Sequence, residues 1–199
     1  MKINVETITV GTDFEMNCYL AENTQTHELF IVDPGAQADT IIRAVGERRP
    51  VAVLITHGHF DHFIAADEVC GHFGIPLYIH ELDAPKLTDP VMNEGRGFGH
   101  EVIANTKPVT VTDGQVLTVA GMEITVLHTP GHSKGGVCYF LPDHQGVFCG
   151  DTLFHGGYGR HDFGDGDFSE LKQSLRKLMY IQPKIKAYPG HGPSTFAGK

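Results

Sequence analysis

Three features of the sequence predict an α/β fold. Short apolar runs alternate with amphipathic stretches from Leu29 to His80, in the order strand, helix, strand, helix, strand. Polar side chains able to hold a metal collect where apolar runs end, the place where strands of such folds deliver functional groups. Further apolar runs, separated by Gly-containing turns, then continue to the C-terminal region.

Ile3, Val5, Ile8 and Val10 mark a first strand with one break in its alternation. Met16–Ala21 reads as a second strand, 22–27 as a polar turn, and Leu29–Val32 as a third, together an antiparallel meander. Asp33, before Pro34-Gly35, has two readings: a turn-forming residue, or a carboxylate that orients a metal-bound histidine. Ala38, Ile41, Ile42 and Val45 have helical spacing and predict a helix over 38–47. Pro50 punctuates before an apolar strand, Val51–Ile55. A helix is expected from about His62 to Phe73, stopped by Gly74 and Pro76, followed by a strand at Leu77–His80.

Residues 81–108 contain Pro85, Pro90, Gly95, Gly97 and Gly99 and little periodicity, so an irregular segment that shapes a substrate mouth is expected. Strands resume at Val109–Val111, Gln115–Val119 and Met122–Leu127, with turns at Asp113-Gly114 and Ala120-Gly121. Val137–Leu141 and Val147–Cys149 form a hairpin, and a Gly-rich loop follows over 156–162. Phe168–Met179 is an amphipathic helix with Asp167 or Ser169 as N-cap, and Ile185–Tyr188 is the last predicted strand.

The chain has 199 residues, 41% apolar and 20% charged, which fits one folded domain over 1–199. Its net charge of −9 argues against nucleic acid or an anionic membrane as partner. No segment reads as a secretory signal or a membrane span, and a cytoplasmic location is expected. Cys18, Cys70, Cys138 and Cys149 include no Cys-x-x-Cys, as expected in a reducing compartment. Cys138 and Cys149 are symmetric about the turn 142–146 and can face each other; two buried thiols are favoured over a bridge.

The chemistry centres on Thr56-His57-Gly58-His59-Phe60-Asp61-His62. Imidazole and carboxylate are ligands that first-row divalent metals favour, and four such groups this close would repel or stay unsatisfied without a cation. A solvated histidine-rich loop is the bland alternative. Three more ligand-type residues follow apolar runs: His132 and His191, each after Pro-Gly, and Asp151 after Gly150. Seven ligands exceed one tetrahedral ion and suit two, which together lower the pKa of a shared water to give hydroxide at neutral pH.

His-x-His-x-Asp-His at 57–62, Pro-Gly-His at 130–132, Gly-Asp at 150–151 and Pro-Gly-His at 189–191 resemble, in that order, the metallo-β-lactamase superfamily, over residues 3 to 193. Gly150–Phe154 with Gly159–Asp162 looks like the glyoxalase II group, and within it the short bacterial members. The resemblance implies a four-layer αββα sandwich with metals at one edge between the sheets. It implies His57, His59 and His132 on one ion, Asp61, His62 and His191 on the other, and Asp151 bridging. It gives Asp61 the further role of orienting the attacking hydroxide. Two divalent ions are implied, zinc first, with iron or manganese accepted by the same donors. The implied reaction is hydrolysis of a small-molecule thioester, S-D-lactoylglutathione or a relative.

Glyoxalase II proper holds glutathione with a Lys and a Tyr where this chain has Arg160 and Asp162, and with a C-terminal helical domain for which this chain has no counterpart. Arg160 keeps a cation for a substrate carboxylate, or forms a loop salt bridge with Asp162. The resemblance extends to persulfide dioxygenases, whose single iron would be held by His57, His132 and Asp151. A non-catalytic metal-binding protein is the remaining alternative.

Overall fold

A computed structural model describes residues 2–199. Two six-stranded sheets face each other. The first runs in sequence order: β1 (Ile3–Gly11), β2 (Glu15–Asn23), β3 (Glu28–Val32), β4 (Arg49–Leu54), β5 (Leu77–His80) and β6 (Val109–Val111). Its first three strands are the expected antiparallel meander, and β3 to β6 are parallel. The second sheet contains β7 (Val116–Val119), β8 (Met122–His128), β9 (Val137–Phe140), β10 (Val147–Gly150), β11 (Ile185–Pro189) and β12 (Thr195–Ala197), in the order β12-β11-β10-β9-β8-β7. Helices α1 (Ala38–Val45) and α2 (Ala66–Phe73) cover the first sheet, and α3 (Phe168–Met179) covers the second.

Strand alternation builds the layers. Along β2 and β3, Leu20, Leu29 and Ile31 point outward to Ile41, Val45 and Val69 of the helices. Tyr19, Ala21, Phe30 and Val32 point inward against Ile124, Val126, Tyr139 and Phe148 of the opposite sheet. Phe148 sits among aromatic rings, 5.2 Å from Tyr188, 5.3 Å from Tyr19 and 5.9 Å from Phe30 by centroid. Cys138, Val147, Cys149 and Ala187 face the other way, onto Leu178 of α3. The result is the αββα sandwich.

Several boundaries differ from expectation. The first helix ends at Val45 because Gly46, at φ 60°, turns the chain and bonds back to the Ile42 carbonyl. The helix expected from His62 begins only at Ala66; a 3₁₀ turn at Phe60–His62 comes first, letting the ligand-rich segment bend into the site. β12 was not anticipated, since three residues are too few to show a period. The segment 81–108 holds two 3₁₀ turns and is fastened by buried Asn93. Its side-chain amide donates to the carbonyls of Lys86 (3.0 Å) and Val102 (2.9 Å) and accepts from the Gly95 amide (2.9 Å). Asp167 caps α3, accepting from the Glu170 amide at 2.8 Å. All four cysteines are free and buried. Among the described residues no helix is long and apolar enough to cross a membrane.

Candidate metal centre

The seven ligand-type residues converge at one edge between the sheets. His57, His59, Asp61 and His62 follow β4, His132 follows β8, Asp151 follows β10 and His191 follows β11. The sheets are pinned together here. The Val137 amide donates to the Thr56 carbonyl at 2.9 Å, and the Asn17 amide to the Gly190 carbonyl at 2.7 Å. The Tyr19 hydroxyl donates to the Pro189 carbonyl at 2.6 Å, holding the His191 turn against β2.

The first group is His57, His59 and His132. His57 Nε2, His59 Nδ1 and His132 Nε2 form a triangle with edges of 3.0, 3.0 and 3.1 Å. A tetrahedral ion with bonds of about 2.0–2.1 Å holds its nitrogens roughly 3.3 Å apart, so the triangle fits one. The acceptors faced by the outer nitrogens of His132 and His57 fix the tautomers of those two rings. His132 Nδ1 donates to the Arg160 carbonyl at 2.6 Å. Thr56 Oγ1 donates to Asp33 at 2.7 Å and so accepts from His57 Nδ1 at 3.2 Å. His57 and His132 thereby aim a bare Nε2 inward, while His59 offers Nδ1. Burial, reinforced by the neighbouring imidazoles, holds His57 and His59 well below the ordinary histidine range. Burial likewise lowers His132. Neutral, lone-pair-bearing rings are the form that binds metal.

The second group is Asp61, His62 and His191. His191 Nε2 lies 3.3 Å from Asp61 Oδ2, and its Nδ1 donates to the Glu15 carbonyl at 2.7 Å. His62 Nδ1 donates to Asp33 Oδ2 at 3.0 Å. Burial would lower His62, but Asp151, Asp61 and Asp33 override it and push the imidazole up to about 10. Burial would also raise Asp61, yet His62 and His191 hold it below the usual carboxylate range. Asp151 lies between the groups, with Oδ2 3.5 Å from both His132 Nε2 and His191 Nε2. Asp151 Oδ1 is 3.4 Å from His62 Nε2, out of line for a hydrogen bond. Both atoms face the space between the groups and are buried without a hydrogen-bond partner among the described residues. A buried imidazole nitrogen and carboxylate oxygen this close and without hydrogen-bond partners are what a cation satisfies.

Asp33 resolves in favour of its orienting role. It accepts from the Thr56 amide (2.7 Å), the Thr56 hydroxyl (2.7 Å) and His62, from a left-handed backbone at φ 49°. Arg160 lines the cavity over the site and pairs with Asp162 through two bonds of 2.8 and 2.9 Å. One supporting group escaped sequence reading. Asp83 is fully buried and accepts from the amides of Gly58 (2.8 Å) and Gly135 (2.7 Å) and from the Ser133 hydroxyl (2.8 Å). Its neighbour Lys86, also buried, reaches Asp165 Oδ1 at 2.8 Å. The only hint in the sequence was an Asp and a Lys three apart in an otherwise patternless segment.

Fold and site together define a metal-binding αββα protein of the hydrolase type. The chain belongs to the metallo-beta-lactamase superfamily, whose sequence profile matches residues 11–191. It is 33% identical to the hydroxyacylglutathione hydrolase GloC of Haemophilus influenzae, covering 99% of this chain and 94% of that one. The solved structure of the BLEG-1 B3 metallo-beta-lactamase superposes with a TM-score of 0.91 at 33% identity, covering 97% of this chain and 94% of that one. TTHA1623, solved in a di-iron-bound form, superposes at 0.81 with 33% identity, covering 96% and 93%.

Proposed function

We propose that this protein hydrolyses a small-molecule acyl thioester with two divalent ions, in the manner of glyoxalase II. The reading rests most on Asp151, whose Oδ2 stands 3.5 Å from a nitrogen of each group, as a bridging ligand would. In this assignment His57, His59 and His132 would hold one ion and Asp61, His62 and His191 the other. The likeness to GloC supports a hydroxyacyl thioester such as S-D-lactoylglutathione. Zinc suits the donors; the di-iron form of TTHA1623 supports iron as an alternative, and manganese also accepts them.

Two divalent ions held by these residues would lower the pKa of a shared water toward neutrality and would polarise the acyl oxygen. The chain does the rest. Asp61, held ionised beside His62 and His191, accepts a hydrogen bond from the attacking water and aims it. The phenyl rings of Phe60 and Phe163 limit water around the reacting carbonyl. Attack breaks the carbon–sulfur bond, the electron pair leaves with sulfur, and the products are a carboxylate and a thiol. Metal quantification on the purified protein, coupled to hydrolysis of S-D-lactoylglutathione, tests this. Two ions per chain with turnover, both lost in Asp151→Ala, are expected. One iron per chain with oxygen uptake on glutathione persulfide would overturn it.

A further inference from the structure

The cavity over the metal centre has a volume of about 470 Å³ and carries phenylalanines from four separate segments of the chain: Phe14, Phe60, Phe98, Phe154 and Phe163. Their rings run outward from the ligands. Phe163 meets His59 edge-on at 5.7 Å, Phe98 meets Phe163 at 6.2 Å, and Phe14 meets Phe98 at 5.3 Å. Phe98 also stacks on Phe60 at 5.6 Å. The outermost rings, Phe14 and Phe98, are 43% and 38% exposed. Exposed apolar surface continuous with a site marks where an apolar ligand lies.

The charges of this wall are arranged against an anionic ligand. Arg160 is its cation, but its Nε and one terminal nitrogen are both taken by Asp162, and its guanidinium lies 3.7 Å from the Phe163 centroid. Glu94 lines the same cavity. Arg160, Asp162 and Glu94 sum to one net negative charge, on a chain of net charge −9. A glutathione thioester carries two carboxylates and one ammonium at neutral pH and meets on this wall a single guanidinium, already paired with a carboxylate. A lactoyl group is far smaller than the cavity, so the thiol arm must occupy the phenyl-lined part.

Resting on the thioesterase reading, we infer that the preferred substrate carries an uncharged, apolar thiol arm, seated along Phe163, Phe98 and Phe14, rather than glutathione. Stacking and burial of that arm supply its binding, and a pocket of this kind discriminates by about ten-fold or more.

The test compares S-D-lactoylglutathione with the D-lactoyl thioester of benzyl thiol, an alkyl thiol of similar acidity, on protein carrying its full measured complement of divalent ion. The benzyl thioester is expected to have a kcat/KM about ten-fold higher, mostly through KM. Phe98→Ala should shrink that ratio. Asp162→Asn with Glu94→Gln, which frees Arg160, should raise kcat/KM for the glutathione thioester alone. A wild type that prefers the glutathione thioester, or a ratio indifferent to Phe98→Ala, overturns the inference and leaves the thioesterase reading standing. Hydrolysis of neither compound sinks the thioesterase reading, and this inference with it.

Discussion

Asp83 accepts the Gly58 amide at 2.8 Å, although 25 positions separate them. Gly58 lies between the ligand-type residues His57 and His59, so this bond fixes the strand-end turn from outside the histidine cluster. The same carboxylate holds Ser133 and Gly135, on the turn that carries His132. Asp83 therefore sets the distance between two turns whose three histidine nitrogens must meet within about 3 Å.

Removing it should loosen that triangle. Groups that orient ligands from behind are typically worth 10- to 100-fold in metal affinity. Asp83→Ala should weaken metal binding by about that range in a chelator competition. It should also lower the melting temperature, because buried Lys86 loses a counter-charge 3.4 Å away. Asp83→Asn keeps the shape but turns an amide NH₂ toward one of three donors, so an intermediate loss is expected. Unchanged affinity in both variants would show that the turns hold themselves.

Gly190 presses on the other side of the site. A Cβ there would lie 2.2 Å from Asp151 Oδ1 and 2.6 Å from His62 Cε1. Gly190→Ala should displace the Asp151 carboxylate and lower the metal bound per chain, with little change in the far-ultraviolet circular dichroism. Gly157→Ala is the control, since a Cβ there meets nothing within 4 Å. Equal metal content in the two variants would remove Asp151 from the metal shell.

The contrast between these residues explains what could be read from the sequence. The seven ligand-type residues were legible because each lies in a short turn just after an apolar run, where local pattern and chemistry coincide. The αββα layering came from family resemblance rather than periodicity, since alternation shows that a strand has two faces but not what covers each. Asp83 and Lys86 were not legible. Their partners lie 25, 50, 52 and 79 positions away, and their own segment has no period. The late start of α2 was hidden because Phe60 to Ala66 has helical composition, while the geometry of the ligands imposes a tighter turn.

A pH effect separate from the metal shell is expected at His80. Its ring is buried and stacks on His128 at 4.4 Å with a 5° interplanar angle. His80 Nδ1 accepts the Leu82 amide at 3.3 Å, which a proton on that nitrogen would break. Burial, helped by His128 and opposed by Asp83, Glu81 and Asp113, holds the imidazole below its ordinary 6.5. The unfolded chain thus takes a proton that the folded chain refuses. Stability should fall as pH drops from about 6.5 toward the folded value and then level off. In urea unfolding, the wild type should lose more stability between pH 7.5 and 5.5 than His80→Gln, the metal-site histidines contributing equally to both. A steeper loss in the variant would reverse the assignment.

Asp33 offers the sharpest test of the tautomer argument. It accepts three hydrogen bonds, two from Thr56 and one from His62 Nδ1, and both carboxylate oxygens are used. Asn fits the same space and tolerates the left-handed backbone at φ 49°. Its NH₂, however, must face one of the three donors. Facing His62, it makes Nδ1 the acceptor and moves the ring proton to Nε2, which then cannot ligate. The same orientation meets the Thr56 hydroxyl, which shares that oxygen, and disturbs the acceptor of His57 Nδ1; the opposite orientation sets the NH₂ against the buried Thr56 amide and loosens the turn that carries His57. Asp33→Asn should therefore fold yet bind metal about 10- to 100-fold more weakly. Nitrogen chemical shifts of the two rings should report the changed ligating nitrogen in the metal-loaded protein. Asp33→Ala should in addition lose roughly 1–3 kcal/mol of stability, because the buried Thr56 amide is left without an acceptor. If Asp33→Asn binds metal as tightly as the wild type while His62 keeps its proton on Nδ1, the carboxylate does not set the ligand's tautomer, and the ring is held by packing alone.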